Sequence, residues 1–401
     1  MPPPPVVALE IGTSKVVALV GEMREEGRIA ITGMGERSSR GVRKGEVVDL
    51  ENALVCARGA LQGAEESAQV TIRRVHIALS GGHIRSHVSR TTNRVLNPDS
   101  GISEVDMEKV TELARAISLP PDRDIIHTIC QNFCVDDQQY VVNPRGLNGT
   151  KLSIDMLALH GIRSRIQNTV KVVQSMPMDV QDVAFTGLCA GLAVLTPEQK
   201  EIGALVIDLG SGTTNFVAYA DKVLASAGAF GVGGDHITND IALAFNISVK
   251  QAEFMKIDSG NAVVDLANRA KRVVPPPEVG FSDKPVSLAA LHTVINARAK
   301  EMFDMIKFQL EHDEVDSHFG AGVVLTGGGA KLRGIESLAE KVFGLPCQVG
   351  KPRDVDGLAA ATEGPEYAVA VGMVRYGLSS AHEEDSGFSF GRLIREMFGK
   401  G

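Results

Sequence analysis

Two turns in this chain combine glycine, hydroxyl side chains and a leading acid, a set of residue types that handles phosphate. The first lies in VVALEIGTSKVVALVGE, where Gly12 permits a tight bend, exposes the amides of Thr13 and Ser14, and is followed by the cation of Lys15. The second lies in GALVIDLGSGTTNFVAYADK, where Gly210, Ser211, Gly212, Thr213 and Thr214, followed by Asn215, form the same kind of bend with more glycine. Successive amides in such bends form concavities that bind anions. Glu10 and Asp208 each stand two residues before the first glycine of their turn. Acids so placed suit a magnesium ion held through its waters, because magnesium keeps several waters and takes only one or two carboxylates.

A third turn, LTGGGAKLRGI, places Gly327, Gly328 and Gly329 after an apolar strand and before a helix expected to open at Ala330. Bare backbone beside the positive end of a helix would accept a flat base or a ribose. The pattern is neither GxGxxG nor GxxxxGK[ST], which excludes a Rossmann or P-loop assignment. A fourth piece, GVGGDHITND followed by SVKQAEFMK, puts Gly233 and Gly234 before a helix, with Glu253 and Lys256 three residues apart on one helical face. Taken alone, that acid and base read as a solvated surface pair.

The elements that must hold these residues alternate between strand and helix. Both phosphate-type turns join two short apolar, β-branched runs, so each reads as a hairpin, and the second echoes the first. Residues 51–68 form an amphipathic helix followed by the strand VHIALSGG. Residues 83–160 change character: short strands, one helix from Ser103 to Ile117 opened by a capping serine and early acids, and a Pro-Pro break at 120–121. They read as a small α+β insertion. Helix returns in SRIQNTVKVVQSM and strand in DVQDVAFTG, and a second half begins after Thr196. Helix is expected over 235–258 and 287–311, a loop at Pro275 to Pro277, and a buried strand in GVVLTGGG. This is an α/β pattern of mixed sheets covered by helices in two lobes.

Composition sets limits on the function. The 401 residues exceed one typical domain of about 150. Hydrophobic residues make up 44%, enough for a packed core. A net charge of −8 argues against a dedicated nucleic-acid binder. No uninterrupted apolar run of about 18 residues is present, and the opening MPPPPVVALEIG lacks the basic and apolar regions of a secretory signal. Five cysteines without a CxxC pair fit reduced thiols, with Cys130 and Cys134 as core residues. The ten histidines form no HExxH motif or ligand cluster.

The last segment has its own signature. SSAHEEDSG (379–387) is polar, acidic and linker-like. In FSFGRLIREMFGKG, Phe390, Leu393, Ile394, Met397 and Phe398 recur at i, i+3, i+4, i+7 and i+8 and share one helical face. Arg392, Arg395, Glu396 and Lys400 take the other sides, giving this piece a charge of +2. That is the pattern of a helix lying in a membrane interface. Five side chains would gain at most ~7–15 kcal/mol on full burial. Partial immersion and the cost of ordering a short helix reduce this. One tail therefore gives weak, reversible attachment, and many tails on one polymer give strong attachment. The competing reading is a helix docked on the protein's own body.

Taken together, the motifs LEIGTSKVVALVGE, VIDLGSGTTNFV, GVGGDHITNDIALAF with AEFMK, and VVLTGGGAKLRGI resemble the superfamily of actin, the DnaK-type chaperones and the sugar kinases, in the same order along the chain. ALSGGHIRS, NPRGLNGTKL and YAVAVGMVRYG narrow the likeness to the bacterial FtsA family, as does a glutamate at position 10 where actin and the chaperones carry aspartate. The likeness runs from Val6 to the tail. It implies an actin-like two-lobe fold with an α+β subdomain inserted in the first lobe and a C-terminal amphipathic helix. The expected divisions are a first-lobe core at 1–82 and 161–195, the insertion at 83–160, a second-lobe core at 196–226 and 306–378, an outer subdomain at 227–305, a linker at 379–387 and the membrane helix at 388–401.

The resemblance further implies ATP in the cleft between lobes, with magnesium at Asp208 and Glu10. Residues 12–15 and 210–215 would hold the phosphates. Gly234, Glu253, Lys256 and Gly327 to Gly329 would hold the nucleoside. It implies self-assembly into filaments on the cytoplasmic face of the membrane, binding of the FtsZ C-terminal tail, recruitment of later division proteins and no nucleic acid. Arg298 is a candidate contact with FtsZ, against the plainer reading of a surface arginine. No catalytic residue is assigned. The segment VAFTGLCAGL offers only Thr186 and Cys189 as polar side chains to position water, so slow ATP turnover is expected. The alternatives are a pilus-assembly protein resembling PilM and a small-molecule kinase of the same fold.

Overall fold

The structure, a computed structural model, describes residues 5–24, 28–281, 283–315, 319–358 and 363–386. The amphipathic segment expected at 388–401 lies outside them. Two hairpins organise everything else. β1 (Val6–Ile11) and β2 (Lys15–Met23) pair antiparallel, and β3 (Ile29–Ser38) continues the meander. A short hairpin follows, β4 (Val42–Arg43) and β5 (Glu46–Val47). Helix α1 (Leu50–Ala68) is capped by Asp49, whose side chain accepts from the Asn52 amide. Its buried stripe, Ala53, Ala57, Ala60, Leu61 and Ala64, lies on the sheet. Gly35 of β3 makes the approach possible: a Cβ there would sit 1.9 Å from the Ala60 carbonyl oxygen. β6 (Arg74–Leu79) then runs parallel to β1.

The insertion has a sheet and core of its own. β7 (Arg85–Arg94), α2 (Glu104–Arg115), β8 (Arg123–Val135), β9 (Gln138–Val141) and β10 (Lys151–Ile162) build a four-stranded antiparallel sheet in the order β7-β10-β8-β9. The expected helix begins after Ser103, which forms a reciprocal capping box with Asp106, and ends at Arg115 rather than Ile117. Val110, Phe133, Leu152 and Ile154 fill the core, with Cys130 packed beside them. Cys134 is buried, and all five cysteines are free. Back in the first lobe come α3 (Arg163–Gln174), β11 (Asp179–Phe185), α4 (Thr186–Val194) and α5 (Pro197–Glu201).

The second half repeats the first. β12 (Ala204–Leu209), β13 (Thr214–Ala220) and β14 (Val223–Phe230) form an antiparallel meander. Then come α6 (Gly234–Phe245), α7 (Val249–Ser259), a two-stranded pair β15 (Arg272–Val273) and β16 (Val286–Ser287), and α8 (Leu288–His312). β17 (Val323–Thr326) runs parallel to β12, and α9 (Ile335–Phe343), β18 (Cys347–Val349) and β19 (Val355–Gly357) follow. The order β11-β6-β1-β2-β3 of one sheet matches β18-β17-β12-β13-β14 of the other, strand for strand, with β19 added at the edge of the first. The echo heard in two hairpins thus extends to whole sheets.

Three expectations change. The helical region 235–258 is two helices, broken where Asn246 takes a left-handed φ of 51°. The helix expected at Ala330 is a single 3₁₀ turn, Gly328–Lys331, and the α-helix starts only at Ile335. The acidic stretch read as a linker from 379 continues the last helix, α10 (Ala368–Ser386), through Ser386.

α10 crosses from the second half back to the first and packs against α4 and β1. Gly372 makes that contact possible, since a Cβ there would lie 1.8 Å from the Cys189 carbonyl oxygen. Backbone cannot give way as a side-chain tip can, so Gly372→Ala is expected to destabilise the protein by about 1–3 kcal/mol. A fall in thermal midpoint checks this; an unchanged midpoint would show that the two helices separate freely.

The insertion also touches the second half. Gln131 Nε2 donates to the Leu224 carbonyl (2.8 Å), Ser86 Oγ accepts from the Ala227 amide (3.1 Å) and Arg85 Nη1 donates to the Ala229 carbonyl (3.0 Å). Side chains thereby satisfy the open edge of β14, a strand that would otherwise expose unpaired backbone groups.

Candidate functional site

The two acid-led turns have the same local chemistry. In the first, the Gly12 amide donates to the Lys15 carbonyl at 3.0 Å; in the second, the Gly210 amide donates to the Thr213 carbonyl at 2.9 Å. Each glycine is required by close approach, because a Cβ at Gly12 would sit 2.8 Å from the Lys15 oxygen and one at Gly210 2.9 Å from the Thr213 oxygen. Glu10 and Asp208 occupy corresponding register positions, opposite Val17 and Asn215.

The turns meet. A Cβ on Gly212 would fall 2.4 Å from Thr13 Oγ1. That oxygen accepts a hydrogen bond from the Gly45 amide at 3.0 Å, in the loop between β4 and β5. Both turns open onto one cavity of about 400 Å³ between the halves. Glu10, Gly12, Thr13, Ser14, Lys15, Asp208, Gly210, Ser211, Gly212, Thr213, Asn215, Gly234, Glu253, Lys256 and Gly327 to Gly329 all line it. Thr214 does not: it is buried in β13 and its hydroxyl donates to the Val232 carbonyl at 2.8 Å.

The two carboxyl groups are buried, and the cation of Lys15 offsets this for Glu10 only in part. Burial, and then the charge of Asp208, push the Glu10 carboxyl up to about 8. Burial likewise pushes Asp208 up to about 6, opposed by a hydrogen bond from Asn215 Nδ2 to Asp208 Oδ2 at 2.9 Å. Glu10 Oε2 is buried with no hydrogen-bond partner among the described residues. Lys15 leans away from them, 3.2 Å from Glu36 and 3.5 Å from the centre of the Tyr367 ring. Glu10 is thus raised by burial and by the charge of Asp208, whereas burial alone raises Asp208. Among the described residues no group of three or more His, Cys, Asp or Glu is placed to hold a metal.

The far end of the cavity is built differently. Lys256 donates to the Gly234 carbonyl (3.1 Å) and the Thr238 hydroxyl (2.8 Å), and stands 2.6 Å from Glu253, which also meets Thr238. The pair is therefore a fixed corner of the cavity rather than a solvated surface pair. Ile237, Ile257, Met302, Phe303 and Leu332 supply apolar walls. Gly327 is held open by the fold, with a φ of 80° and a Cβ position 2.3 Å from Asp208 Oδ1.

Sequence reasoning missed several lining residues: Gly45, Ser80, the apolar walls from α8, and Arg333, whose guanidinium reaches the Asp258 and Gly260 carbonyls. None belongs to a turn with phosphate chemistry, and only the sequence ALSGG around Ser80 hinted at a strand end facing the cleft. Arg298 lies outside the lining. Asp240 holds it in a two-pronged ion pair (2.6 and 3.2 Å), and it also meets Glu301. Phe390, Arg392, Leu393, Ile394, Arg395, Met397, Phe398 and Lys400 fall outside the described residues. Among those described, no helix is long and apolar enough to cross a membrane.

Comparison with known proteins is consistent across the chain. Residues 205–372 match the family described as cell division protein FtsA, and residues 81–160 match the SHS2 domain inserted in FtsA. The chain is 34% identical over 376 residues to the cell division protein FtsA of Pseudomonas aeruginosa, covering 93% of this chain and 89% of that protein. It is 32% identical to the same protein of Escherichia coli strain K12, covering 94% and 90%. Among solved structures, it is similar to one of a PilM-PilN type IV pilus biogenesis complex, with a TM-score of 0.62, 18% identity and coverage of 93% and 98%. It is also similar to MreB5 of Spiroplasma citri bound to ADP, with a TM-score of 0.53, 15% identity and coverage of 96% and 99%. At these identities the structures establish the fold, which is actin-like.

Proposed function

The chain belongs to the FtsA family of cell division proteins, and from that premise we propose that it is an ATP-binding adaptor that assembles on the cytoplasmic membrane and tethers FtsZ filaments there. The observation that carries the nucleotide half of this reading is the shared cavity. Both acid-led turns, the Glu253–Lys256 corner and the triple glycine face it from opposite halves of the chain. Phosphates fit the two turns, and the nucleoside fits the bare glycines and apolar walls.

The residues present suit magnesium as well. The orphaned oxygen of Glu10 and the carboxyl of Asp208 would hold it, largely through water. The bound ion would neutralise phosphate charge. The chain's own groups do the remainder: the turns orient the phosphates, and Lys256 and Glu253 fix the nucleoside end. ATP touching both halves would bind the closed shape more tightly than the open one, which is the condition for a ligand to shift that equilibrium. Thr186 is the lining side chain at the start of α4, and its buried hydroxyl has no partner among the described residues. A hydroxyl there is a poor base, so turnover would be slow.

The tethering half rests on the family and on the amphipathic pattern of residues 390–400. FtsZ would bind through its C-terminal tail, and later division proteins would join the assembled polymer. Arg298 is the candidate contact with that tail, and its ion pair with Asp240, which joins α6 to α8, would hold it in place. The direct test is recruitment. FtsZ filaments should sediment with vesicles of bacterial lipid only when this chain and ATP are present. FtsZ remaining in the supernatant under all conditions would refute the adaptor reading.

A further inference from the structure

We propose that Ser80 is a positioning residue that locks the Asp208 carboxylate through Asn215 when the two halves are closed, a role that rests on the nucleotide–magnesium reading of the cleft. Ser80 stands one residue beyond β6, the parallel neighbour of the strand that carries Glu10. Its partners belong to the other half. The Ser80 hydroxyl lies 2.8 Å from Asn215 Oδ1 and 3.1 Å from Thr213 Oγ1. Asn215, only 1% exposed, turns its Nδ2 to Asp208 Oδ2 at 2.9 Å. A chain of two hydrogen bonds therefore runs from the first half, through one amide, to the carboxylate of the second.

The amide is the sensitive link. An asparagine can present either its oxygen or its nitrogen to a neighbour, and the two ends differ in sign. Turned one way, Asn215 donates to Asp208; turned the other, it sets a carbonyl oxygen against a carboxylate. The carboxylate, which only accepts, favours the first orientation, and Ser80, donating to Oδ1 from across the cleft, holds the amide there. Gly45 leaves room for the donor: a Cβ there would sit 3.1 Å from Ser80 Oγ and 2.9 Å from a Thr213 methyl. Opening the cleft withdraws Ser80 and leaves the amide anchored at one end only, by Asp208. Closure and a correctly aimed carboxylate become one event.

The test compares ATP affinity with magnesium and with EDTA, by titration calorimetry, in the full chain. Ser80→Ala should lower the ratio of the two affinities about fivefold, the worth of one hydrogen bond. Asn215→Ala should lower it at least as much. Because the serine acts through the amide, the double variant should be no worse than Asn215→Ala alone. Amide hydrogen exchange in the nucleotide-free protein gives a metal-free readout. In Ser80→Ala, the turn residues 210–213 should exchange faster while β12 and β13 stay protected, which also shows that the variant is folded. An unchanged affinity ratio in Ser80→Ala, or effects of the two variants that add, would overturn the relay while leaving the nucleotide site standing. Wild-type protein that binds ATP no better with magnesium than without would overturn the metal reading and the relay together.

Discussion

Asp208→Asn is expected to abolish magnesium-dependent ATP binding while making the nucleotide-free protein more stable. The two effects have one cause. In the nucleotide-free protein burial disfavours the charge of Asp208, and that charge in turn helps to raise the buried Glu10. A neutral amide of the same shape relieves that conflict. It also removes a negative group from the proposed cation seat, which should cost more than the roughly 10–100-fold lost when only an outer-shell partner of a metal site is changed. Titration calorimetry with Mg·ATP and thermal melting without it are the two measurements. Unchanged nucleotide affinity would remove the cleft assignment.

The pH dependence has a definite sign. The Glu10 carboxyl is raised in the folded protein from 4.5 to about 8. A group whose folded value lies above its unfolded value contributes stability below the unfolded value and loses it as pH rises through the folded one. The nucleotide-free protein should therefore melt progressively lower between about pH 5 and 8, by an amount on the order of a few kcal/mol. Asp208→Asn should flatten that slope, because one of the charges that raises Glu10 is gone. A wild-type midpoint that rises with pH across this window would contradict the buried-pair account.

Removal of the tail should have the second large effect. A chain ending at Ser386 is expected to stay in the supernatant when mixed with vesicles, whereas the full chain sediments with them. The end point follows from the fold: α10 runs through Ser386, so a cut at 380 would also shorten a helix whose earlier turns pack on α4 and β1. Truncation after α10 removes the apolar stripe Phe390, Leu393, Ile394, Met397 and Phe398 and leaves the packed helix whole. The thermal midpoint should not change. Equal sedimentation of the two chains would end the membrane reading; a fall in midpoint would favour a tail docked on the body.

Much of this protein was legible as residues in a row. The two acid-led hairpins, the triple glycine and the helix capped by Ser103 carry their instructions locally. A tight bend needs glycine, a helix start needs a side-chain acceptor, and an apolar β-branched run needs a sheet. Those signals act within a few residues, so no folded context is required to read them. Glu253 and Lys256 show where local reading stops. Their spacing gave only a shared helical face, and their meaning came from Gly234 and Thr238 on a different helix.

Tertiary structure alone decided the rest. Thr214, in the middle of a phosphate-type motif, turns into the core because alternation along β13 sends it to the opposite face from Thr213 and Asn215. Arg298 is clamped by Asp240, 58 residues earlier, a contact that exists only once α6 lies against α8. Ser80 and Asn215 are 135 residues apart and become neighbours only when the halves close. The chemistry of each turn is written in its own short stretch, because backbone geometry is set by nearest neighbours. The pairing of one turn with the other, and the field each carboxylate feels, arise from packing between distant segments, which spacing along the chain does not specify.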